Sequence, residues 1–317
     1  MKIPAPLKSG VKSLRDTTAL TYRMMTNRWR LLPDFLIIGG ARCGTTSFYY
    51  YLINYPGILP AYTKEVHYFD MNYKKGPGWY RAQFPGAIGK TYAGQKRERP
   101  SITGEASPYY LFHPHAPARI ASDMPGVKLI ALLRNPVDRA YSQYWLEAKV
   151  GFETLSFKDA IESEQERLAG EWEKMLEDEH YDSFSYRHHS YLARGKYVEQ
   201  LQTWMSLFPK EQLLLLRSED MYSNPAAVMR QTLEFLGVFD ESIDLQGQEY
   251  KRYKLPWKTG YKGKQTASPP EMDAGMKRYL LDYFRPYNTR LEELLGRNLG
   301  WDEEQPSPET KERQEVS

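Results

Sequence analysis

The sequence predicts an α/β protein in which a central parallel sheet is flanked by helices. Short apolar runs, such as residues 35–38 and 128–133, alternate along the chain with longer segments that have the spacing and the end signals of helices. The first apolar run leads into a glycine-rich turn at residues 39–44, and the turn leads into a helical segment. Strands that alternate with helices form a parallel sheet that is covered on both faces. Such sheets bind their ligands at the carboxyl ends of the strands.

The predicted elements follow this alternation in order. The predicted strands are residues 35–38, 101–103, 128–133 and 212–216. The predicted helices are residues 45–54, 113–122, 136–150, 157–168, 191–208, 225–236, 276–284 and 291–299. Pro56 and Gly57 end the first helix, and Gly237 ends the helix at 225–236. No internal repeat or linker divides the body, so we expect a basic arm at 1–33, one domain at 34–302 and a polar, disordered tail at 303–317.

The composition is that of a globular protein, with 41% hydrophobic and 14% aromatic residues in a chain of 317. The formal net charge of +3 suits a protein that binds a small polyanion, and we expect no nucleic-acid partner. The single cysteine, Cys43, excludes an intrachain disulfide and favours a reducing compartment. We see no apolar core of a signal peptide and no apolar run long enough to span a bilayer, so we predict a cytoplasmic protein.

Basic side chains dominate the arm at residues 1–33. They are Lys2, Lys8, Lys12, Arg15, Arg23, Arg28 and Arg30, against Asp16 within the arm and Asp34 just after it. A solvated tail, or a short helix that packs on the domain, is the interpretation we favour. The alternative is a contact with a membrane surface or with a partner.

The glycine-rich turn has the G-x-x-x-x-G spacing of a Walker A loop, from Gly39 to Gly44. In such a loop, successive backbone N–H groups converge at a helix N-terminus and form an anion site. Thr45, Thr46 and Ser47 add hydroxyl donors. A nucleoside triphosphatase has lysine where this chain has Thr45, and here the cation, Arg42, lies inside the loop. This pattern favours a ligand with a 5′-phosphate leaving group and no Mg²⁺, although an ordinary strand-to-helix turn would also fit it.

A second candidate anion site follows the strand at 128–133. Arg134 lies where that strand ends, Asn135 and Pro136 are typical of a helix start, and Ser142 lies nearly two turns into the helix. Arginine with a hydroxyl partner is suited to phosphate. Alternatively, Arg134 pairs with Asp138 or caps a neighbouring loop. A third basic segment, Lys258-Thr259-Gly260-Tyr261-Lys262-Gly263-Lys264, could close over a phosphate or could be a solvated loop.

Acid–base candidates follow the first helix. If the segment at residues 63–70 is extended, Glu65 and His67 share a face, and either could take a proton from an acceptor hydroxyl. A surface glutamate and a packed histidine are the alternative. Glu105 is a weaker candidate that could serve only to orient the phosphate loop. We expect no metal site, because the pairs His113/His115 and His188/His189 lack the spacing and the cysteine partners of one.

Taken together, these segments resemble the sulfotransferases that use 3′-phosphoadenosine-5′-phosphosulfate (PAPS), in particular bacterial members similar to the heparan-sulfate and carbohydrate enzymes. The resemblance covers about residues 32–302. The matching segments, in family order, are PDFLIIGGARCGTTS, KEVHYFD, GEASPYY, LIALLRNPVDRAYSQY, YLARGKY, QLLLLRSEDMYSNP and the YKGK loop before FRPYN.

The resemblance implies a P-loop-like, three-layer fold and transfer of a sulfonyl group from PAPS to a hydroxyl or amine of a carbohydrate or another small acceptor. It also implies site residues. Arg42, Cys43, Gly44, Thr45, Thr46 and Ser47 would bind the 5′-phosphosulfate, Arg134 and Ser142 the 3′-phosphate, and Lys262, Gly263 and Lys264 would close over the product, adenosine 3′,5′-bisphosphate. Glu65 would be the general base, Arg42 and His67 would assist catalysis, and Asp70 and Glu105 would lie on the acceptor side.

The sequence departs from the family at three points. Arg42 stands where many relatives have lysine, Ala106 stands where the heparan 3-O type has lysine, and the disulfide of the Golgi enzymes cannot form. Two alternatives of other classes remain open. They are an ATP- or GTP-dependent kinase on the same architecture and a nucleotide-binding protein without catalytic activity.

Overall fold

The computed structural model describes residues 17–87, 101–250 and 270–302. The chain divides into two compact units. The first comprises Met1–Arg134, Gly170–Phe184 and Thr203–Tyr261, and the second comprises Asn135–Ala169, Ser185–Gln202 and Lys262–Ser317. None of the helices in the described ranges is both long enough and apolar enough to cross a bilayer.

The first unit contains a parallel five-stranded sheet with the order β2-β3-β1-β4-β5. Its strands are β1 (Phe35–Gly39), β2 (Ile58–Pro60), β3 (Ile102–Ala106), β4 (Lys128–Leu133) and β5 (Leu213–Arg217). Every pairing is parallel, with β1 between β3 and β4. The predicted α/β class with a central parallel sheet is therefore confirmed.

The central strands are buried along their whole length because both faces of the sheet are covered. All five residues of β1 and of β3 are buried, whereas a sheet with one solvated face would alternate. The edge strand β2 was not predicted, since three residues that include Pro60 give little pattern. Proline is tolerated at an edge, where its missing N–H breaks no ladder.

Helices of the first unit flank this sheet. They are α1 (17–25), α2 (Thr45–Asn54), α3 (Gly76–Arg81), α4 (Ala116–Asp123), α8 (Glu171–Glu177), α11 (Ser218–Ser223) and α12 (Pro225–Leu236). On one face, Ile37 and Leu132 of the sheet join Phe48 and Leu52 of α2 and Leu233 of α12 in one hydrophobic core. This packing fixes α2, and with it the turn that precedes α2, at the carboxyl end of β1.

The second unit is helical. It contains α5 (Pro136–Val150), α6 (Phe157–Glu162), α7 (Glu164–Leu168), a 3₁₀ turn (Ala193–Gly195) and α13 (Ala274–Leu295), while α9 (Phe184–His188) and α10 (Tyr197–Leu207) include residues of both units. Val137, Tyr144, Ile161, Leu281 and Phe284 pack in its core. The helix predicted at 157–168 is divided in two, α6 and α7, at Ser163.

The two late helices predicted at 276–284 and 291–299 are a single helix, α13, so that prediction was wrong. Pro286 lies inside α13. The helix continues past it because Phe284 and Leu291 extend the same buried stripe on both sides, and tertiary packing outweighs the lost hydrogen bond. Asp273 caps the start of α13 by accepting from the N–H of Met276 at 2.9 Å.

Candidate active site

The glycine-rich turn joins β1 to α2 and leaves the N-terminus of α2 open. Gly44, at the cap position, has a left-handed φ of 84°, and the helix has no side-chain cap. The first N–H groups of an α-helix lack partners within the helix, so such an end attracts anions. Arg42 is exposed on the turn and also has a positive φ, 69°. The turn therefore combines an uncapped helix start with one guanidinium group.

Side chains of α11 pack closely against the glycine-rich turn. A Cβ atom on Gly44 would lie 2.6 Å from the hydroxyl oxygen of Tyr222 and 2.8 Å from the Cε of Met221. Ser218, at the end of β5, donates its hydroxyl to the carbonyl of Cys43 at 2.8 Å. Glycine is required at position 44 by both its φ and this lack of space. Cys43 itself is buried, so it can offer a ligand only its backbone.

The remaining predicted cofactor residues lie in three places. Arg134 follows β4, and its Nη1 lies 3.4 Å from the carbonyl oxygen of Arg42, on the glycine-rich turn. Ser142 lies on α5, in the second unit, and its pairing with Arg134 stays a prediction. Lys262, Gly263 and Lys264 lie outside the described residues.

Glu65 and His67 lie in the loop at residues 61–72, and both have left-handed backbones, with φ values of 61° and 52°. The expectation of an extended segment is therefore wrong, yet the two side chains meet. His67 Nε2 lies 3.9 Å from Glu65 Oε2, and His67 Nδ1 lies 2.7 Å from Asp70 Oδ2. Lys64 forms an ion pair with Glu65 Oε1. The imidazole thus bridges two carboxylates.

Positive φ in a non-glycine residue is strained, and such strain concentrates at functional sites. Within the described ranges, the non-glycine residues with positive φ are Arg42, Glu65 and His67. These are the three residues for which the sequence predicts a catalytic role.

Side chains at and after the end of β3 hold the 61–72 loop by its main chain. The N–H of Val66 donates to Glu105 at 3.3 Å, that of His67 to Ser107 at 3.0 Å, and that of Tyr68 to the Tyr110 hydroxyl at 2.8 Å. We call Glu105, Ser107 and Tyr110 the loop frame. These bonds, contributed by residues far along the chain, offset the strain in the loop.

Glu105 is the centre of the loop frame. It has no exposed surface and accepts hydrogen bonds from the hydroxyls of Ser107 at 2.7 Å, Tyr80 at 2.8 Å and Tyr110 at 2.9 Å. Burial raises the pKa of Glu105, although these three donors act in the opposite direction. A carboxyl group that is enclosed and saturated in this way does not reach a ligand, so its predicted place on the acceptor side does not fit the geometry.

The charges around His67 set the protonation of the site. Burial alone would lower the pKa of His67, but hydrogen bonds and charge from Asp70 and Glu65 raise it to about 10. Burial alone would raise the pKa of Glu65, but hydrogen bonds from His67 and Lys64, with their charges, lower it to about 2. Near neutral pH the site therefore holds an imidazolium ion between two carboxylates.

The loop frame also fixes the 61–72 loop next to the glycine-rich turn. The N–H of Ser107 donates to the carbonyl of Ile37 in β1 at 3.1 Å, and Ile37 pairs with Ala106 in the register of β3. Ile37 lies two residues before Gly39, where the turn begins. The turn and the 61–72 loop are thus both held at the carboxyl ends of neighbouring strands.

A cleft opens beside Asp70 in the same unit. Its lining residues are Asp70, Met71, Tyr73, Lys74, His113, Glu179, His180, Tyr181 and Asp182. Burial lowers the pKa of His113 to about 3, so this imidazole is neutral at ordinary pH. Within the part of the chain that the structure describes, His, Cys, Asp and Glu form no group that could hold a metal ion.

Sequence reasoning missed several residues that build the site. The sequence assigned no role to Lys64, but its side chain is only 10% exposed and pairs with Glu65. Ser107 and Tyr110 belong to the GEASPYY segment, and their position just after a strand was an available signal for a role at the sheet edge. The packing of Tyr222 under Gly44 had no local signal, because the two residues are far apart in sequence.

Comparison with known proteins identifies relatives along most of the chain. A family model described as a sulfotransferase domain matches residues 32–258. The heparan sulfate glucosamine 3-O-sulfotransferase 3B1 of Mus musculus is 30% identical, over 86% of this chain and 65% of that protein. The membrane-associated sulfotransferase kil1 of Dictyostelium discoideum is 27% identical, over 85% of this chain and 66% of that protein. The chain therefore spans just under two thirds of the length of these relatives.

A solved structure is also similar. The crystal structure of a sulfotransferase from Alicyclobacillus acidocaldarius has a TM-score of 0.61 and 28% sequence identity, and the match covers 86% of this chain and 100% of that one. The similarity therefore extends to the three-dimensional fold of nearly the whole bacterial protein.

Proposed function

The chain belongs to the sulfotransferase family, and we propose that it transfers the sulfonyl group of PAPS to a hydroxyl or amine of a carbohydrate or another small acceptor. The relatives named for heparan sulfate make a carbohydrate the first acceptor class to test. A cytoplasmic location stays a prediction from the single cysteine.

This proposal rests on one observation, that a candidate anion site and a candidate proton acceptor lie at the carboxyl ends of neighbouring strands. The glycine-rich turn follows β1, and the loop frame holds Glu65 beside the end of the neighbouring strand β3. Sulfonyl transfer requires both functions, because the leaving group is an anionic phosphate and the attacking group loses a proton.

On the donor side, we propose that the turn binds the 5′-phosphosulfate. Its fit rests on the uncapped helix start at Gly44 and on the exposed guanidinium of Arg42. Thr45, Thr46 and Ser47 form the first turn of that helix and would add N–H and hydroxyl donors. Arg134, whose guanidinium reaches the backbone of the turn, would bind a second phosphate of the same nucleotide.

On the acceptor side, we propose that Glu65 takes the proton while the acceptor oxygen or nitrogen bonds to sulfur and the bond from sulfur to the bridging phosphate oxygen breaks. Groups of this kind contribute about 10²–10⁴-fold to a rate. His67 and Asp70 would keep Glu65 ionised and oriented. Glu105 would position the loop without touching the acceptor.

His67 and the ion pair with Lys64 together limit Glu65 as a base in the free protein, because they lower its pKa to about 2 and such a carboxylate holds a proton weakly. Catalysis by general bases is most efficient when the pKa lies near the working pH. We therefore propose that Lys64 leaves Glu65 when the donor's anionic sulfonate arrives, which raises the basicity of Glu65 at the moment of transfer.

The test is transfer of labelled sulfate from PAPS to a panel of carbohydrate and small-molecule acceptors, with the product identified by mass. Glu65→Gln should bind adenosine 3′,5′-bisphosphate as the unaltered protein does and should lose about 10²–10⁴-fold in kcat. Glu177→Gln, which makes the same change at an exposed position of α8, is the matched control and should retain full turnover.

Three outcomes would contradict the proposal. Unaltered turnover in Glu65→Gln would remove Glu65 from the chemistry. A thermal shift with ATP and Mg²⁺ but none with adenosine 3′,5′-bisphosphate would indicate a kinase. Binding of the bisphosphate without transfer to any acceptor would indicate a nucleotide-binding protein without catalytic activity.

A further inference from the structure

Helix α1 and the turn after it present an unusual row of exposed apolar side chains. Tyr22 is 63% exposed, Met25 78% and Trp29 70%. Their spacing of three and four residues places them on one side of the segment, as neighbouring helical turns would. Exposed apolar residues are ordinary when scattered, but a contiguous row of large ones marks an interaction surface.

One side of this segment packs on the first unit, and the exposed apolar side chains lie on the other side. Arg30 is buried and donates from Nη1 to the carbonyl of Phe84 at 2.9 Å and from Nε to the hydroxyl of Thr26 at 3.0 Å. The N–H of Leu31 donates to the carbonyl of Pro85 at 3.1 Å. The row is therefore presented by an anchored element.

Tyr62 extends the row to the loop that carries Glu65. It is 54% exposed, and the guanidinium of Arg23 lies 4.4 Å from the centre of its ring. We call Tyr22, Met25, Trp29 and Tyr62 the aromatic patch. Because Arg23 belongs to α1, this cation–π contact joins the two segments that form the patch.

The surroundings of the aromatic patch are basic. Arg23 and the exposed Arg28 lie within the same segment as the apolar row. The sequence before α1 is also basic, with Lys2, Lys8, Lys12 and Arg15 against the single acidic residue Asp16. Positive charge next to exposed aromatic side chains complements a surface that is both negative and partly apolar.

We propose that the aromatic patch binds an anionic membrane surface. Tryptophan and tyrosine favour the membrane–water interface because each combines an apolar ring with a polar group. Basic residues are attracted to the negative surface of an anionic leaflet. A second copy of this chain is a poorer occupant, because a symmetric dimer would place the same basic segments against each other.

Binding at this surface would bring the reaction close to the membrane. Tyr62 precedes Glu65 by three residues, and three residues of chain span at most about 11 Å. A membrane that contacts Tyr62 therefore lies near the proposed base, and an acceptor displayed on a lipid would be within its reach.

The experiment is co-sedimentation of the full chain with vesicles of phosphatidylcholine, with and without phosphatidylserine, at low and high salt. We expect binding to the anionic vesicles only, and weaker binding at high salt because ions screen the basic residues. Met25→Ser/Trp29→Ser should lower the partition coefficient about tenfold or more, since both apolar side chains leave the interface. Arg28→Gln should lower it by a smaller factor.

The matched control is Trp172→Ser/Leu176→Ser. These residues are 41% and 51% exposed on α8 among acidic neighbours, so the same loss of apolar surface should leave vesicle binding unchanged. Far-UV circular dichroism and thermal unfolding should show that each variant is folded, since only exposed side chains are changed.

Several outcomes would overturn the proposal. They are no binding to either vesicle, equal binding to both, and wild-type binding by the Met25/Trp29 variant. Sedimentation velocity without lipid provides a further check, because a dimer that is lost in the same variant would identify a second copy as the partner.

Discussion

Asp70→Asn should move the titration of His67 from alkaline pH into the neutral range. The carboxylate lies 2.7 Å from His67 Nδ1 and its side chain has no exposed surface, so little solvent screens the pair. Asparagine is nearly the same size and retains a hydrogen-bonding group, but it removes the negative charge. Burial, which lowers the pKa of His67, would then be opposed mainly by Glu65.

The magnitude follows from the geometry. The charges are spread over the imidazolium ring and the carboxylate group, so their centres lie farther apart than the 2.7 Å between Nδ1 and Oδ2. Two unit charges about 4 Å apart interact by about 4 kcal/mol at an effective dielectric constant of about 20. Since a change of one in pKa corresponds to about 1.4 kcal/mol, loss of Asp70 should lower the pKa of His67 by about three. From a value of about 10, we expect about 7 in the variant.

The measurement is a pH titration of ¹⁵N-labelled histidine side chains by NMR. The chain has 6 histidines, and His67→Gln identifies the resonance. Asp178→Asn, at an exposed position on the same unit, is the matched control and should leave the His67 titration unchanged. In the transfer assay, Asp70→Asn should lose activity progressively above neutral pH, because neutral His67 no longer holds Glu65 in its orientation through a charged contact.

An unchanged pKa of His67 in Asp70→Asn would refute this account of the site. Stability gives an independent check. Because the folded pKa of His67 lies above the ordinary 6.5, the imidazolium stabilises the folded protein fully below pH 6.5, and this contribution is lost as the pH rises through about 10. The difference in unfolding free energy between the variant and the unaltered protein should therefore be largest in neutral and acidic solution and smallest above pH 10.

Three further variants test other parts of the structure. Arg134→Ala should weaken binding of adenosine 3′,5′-bisphosphate by about tenfold to a hundredfold, the usual worth of a charged hydrogen bond, and calorimetry with unchanged affinity would contradict the assignment. Gly44→Ala should abolish nucleotide-induced thermal stabilisation, because its Cβ would lie 2.6 Å from the Tyr222 hydroxyl oxygen at a φ of +84°; retained stabilisation would contradict the tight turn. Glu153→Gln should cost about 1–3 kcal/mol at pH 7 in urea unfolding, since the buried carboxylate pairs with Arg167. Arg167 and backbone donors, outweighing burial, lower the pKa of Glu153 to about 2, so this stabilisation is present above pH 4.5 and is lost as the pH falls through about 2; an equal deficit at all pH values would contradict it.

Where a capping residue marks the end of a helix, the sequence predicted the first or last residue of that helix correctly. Helix α5 begins where Asn135 and Pro136 predict, and Asn135 accepts from the N–H of Val137 at 3.0 Å. Helix α12 ends at Gly237, which has the expected left-handed φ of 78°. Such signals act within one turn of chain, so they are visible in the sequence. By contrast, α13 continues through Pro286 because of contacts made at a distance.

In the candidate site, too, features set by local sequence could be predicted and features set by distant contacts could not. The glycine-rich turn and the residues Glu65, His67 and Asp70 could be located from the sequence, because their types and spacing are local. The left-handed backbone of Glu65 and His67 could not, because Ser107 and Glu105, some 40 residues later in the chain, impose it. The low exposure of Lys64 is likewise a result of the folded loop.

The loop frame holds the proposed base in position through main-chain bonds, which do not depend on the side chains of neighbouring loop residues. The donors in this frame are main-chain N–H groups of the 61–72 loop, and the acceptors are side chains attached to or just after β3. Other side chains of the loop, such as Met71, take no part in these bonds. Natural variation or directed evolution could therefore exchange them to suit a different acceptor while Glu65 keeps its place, which makes this loop a replaceable module for designing new specificity.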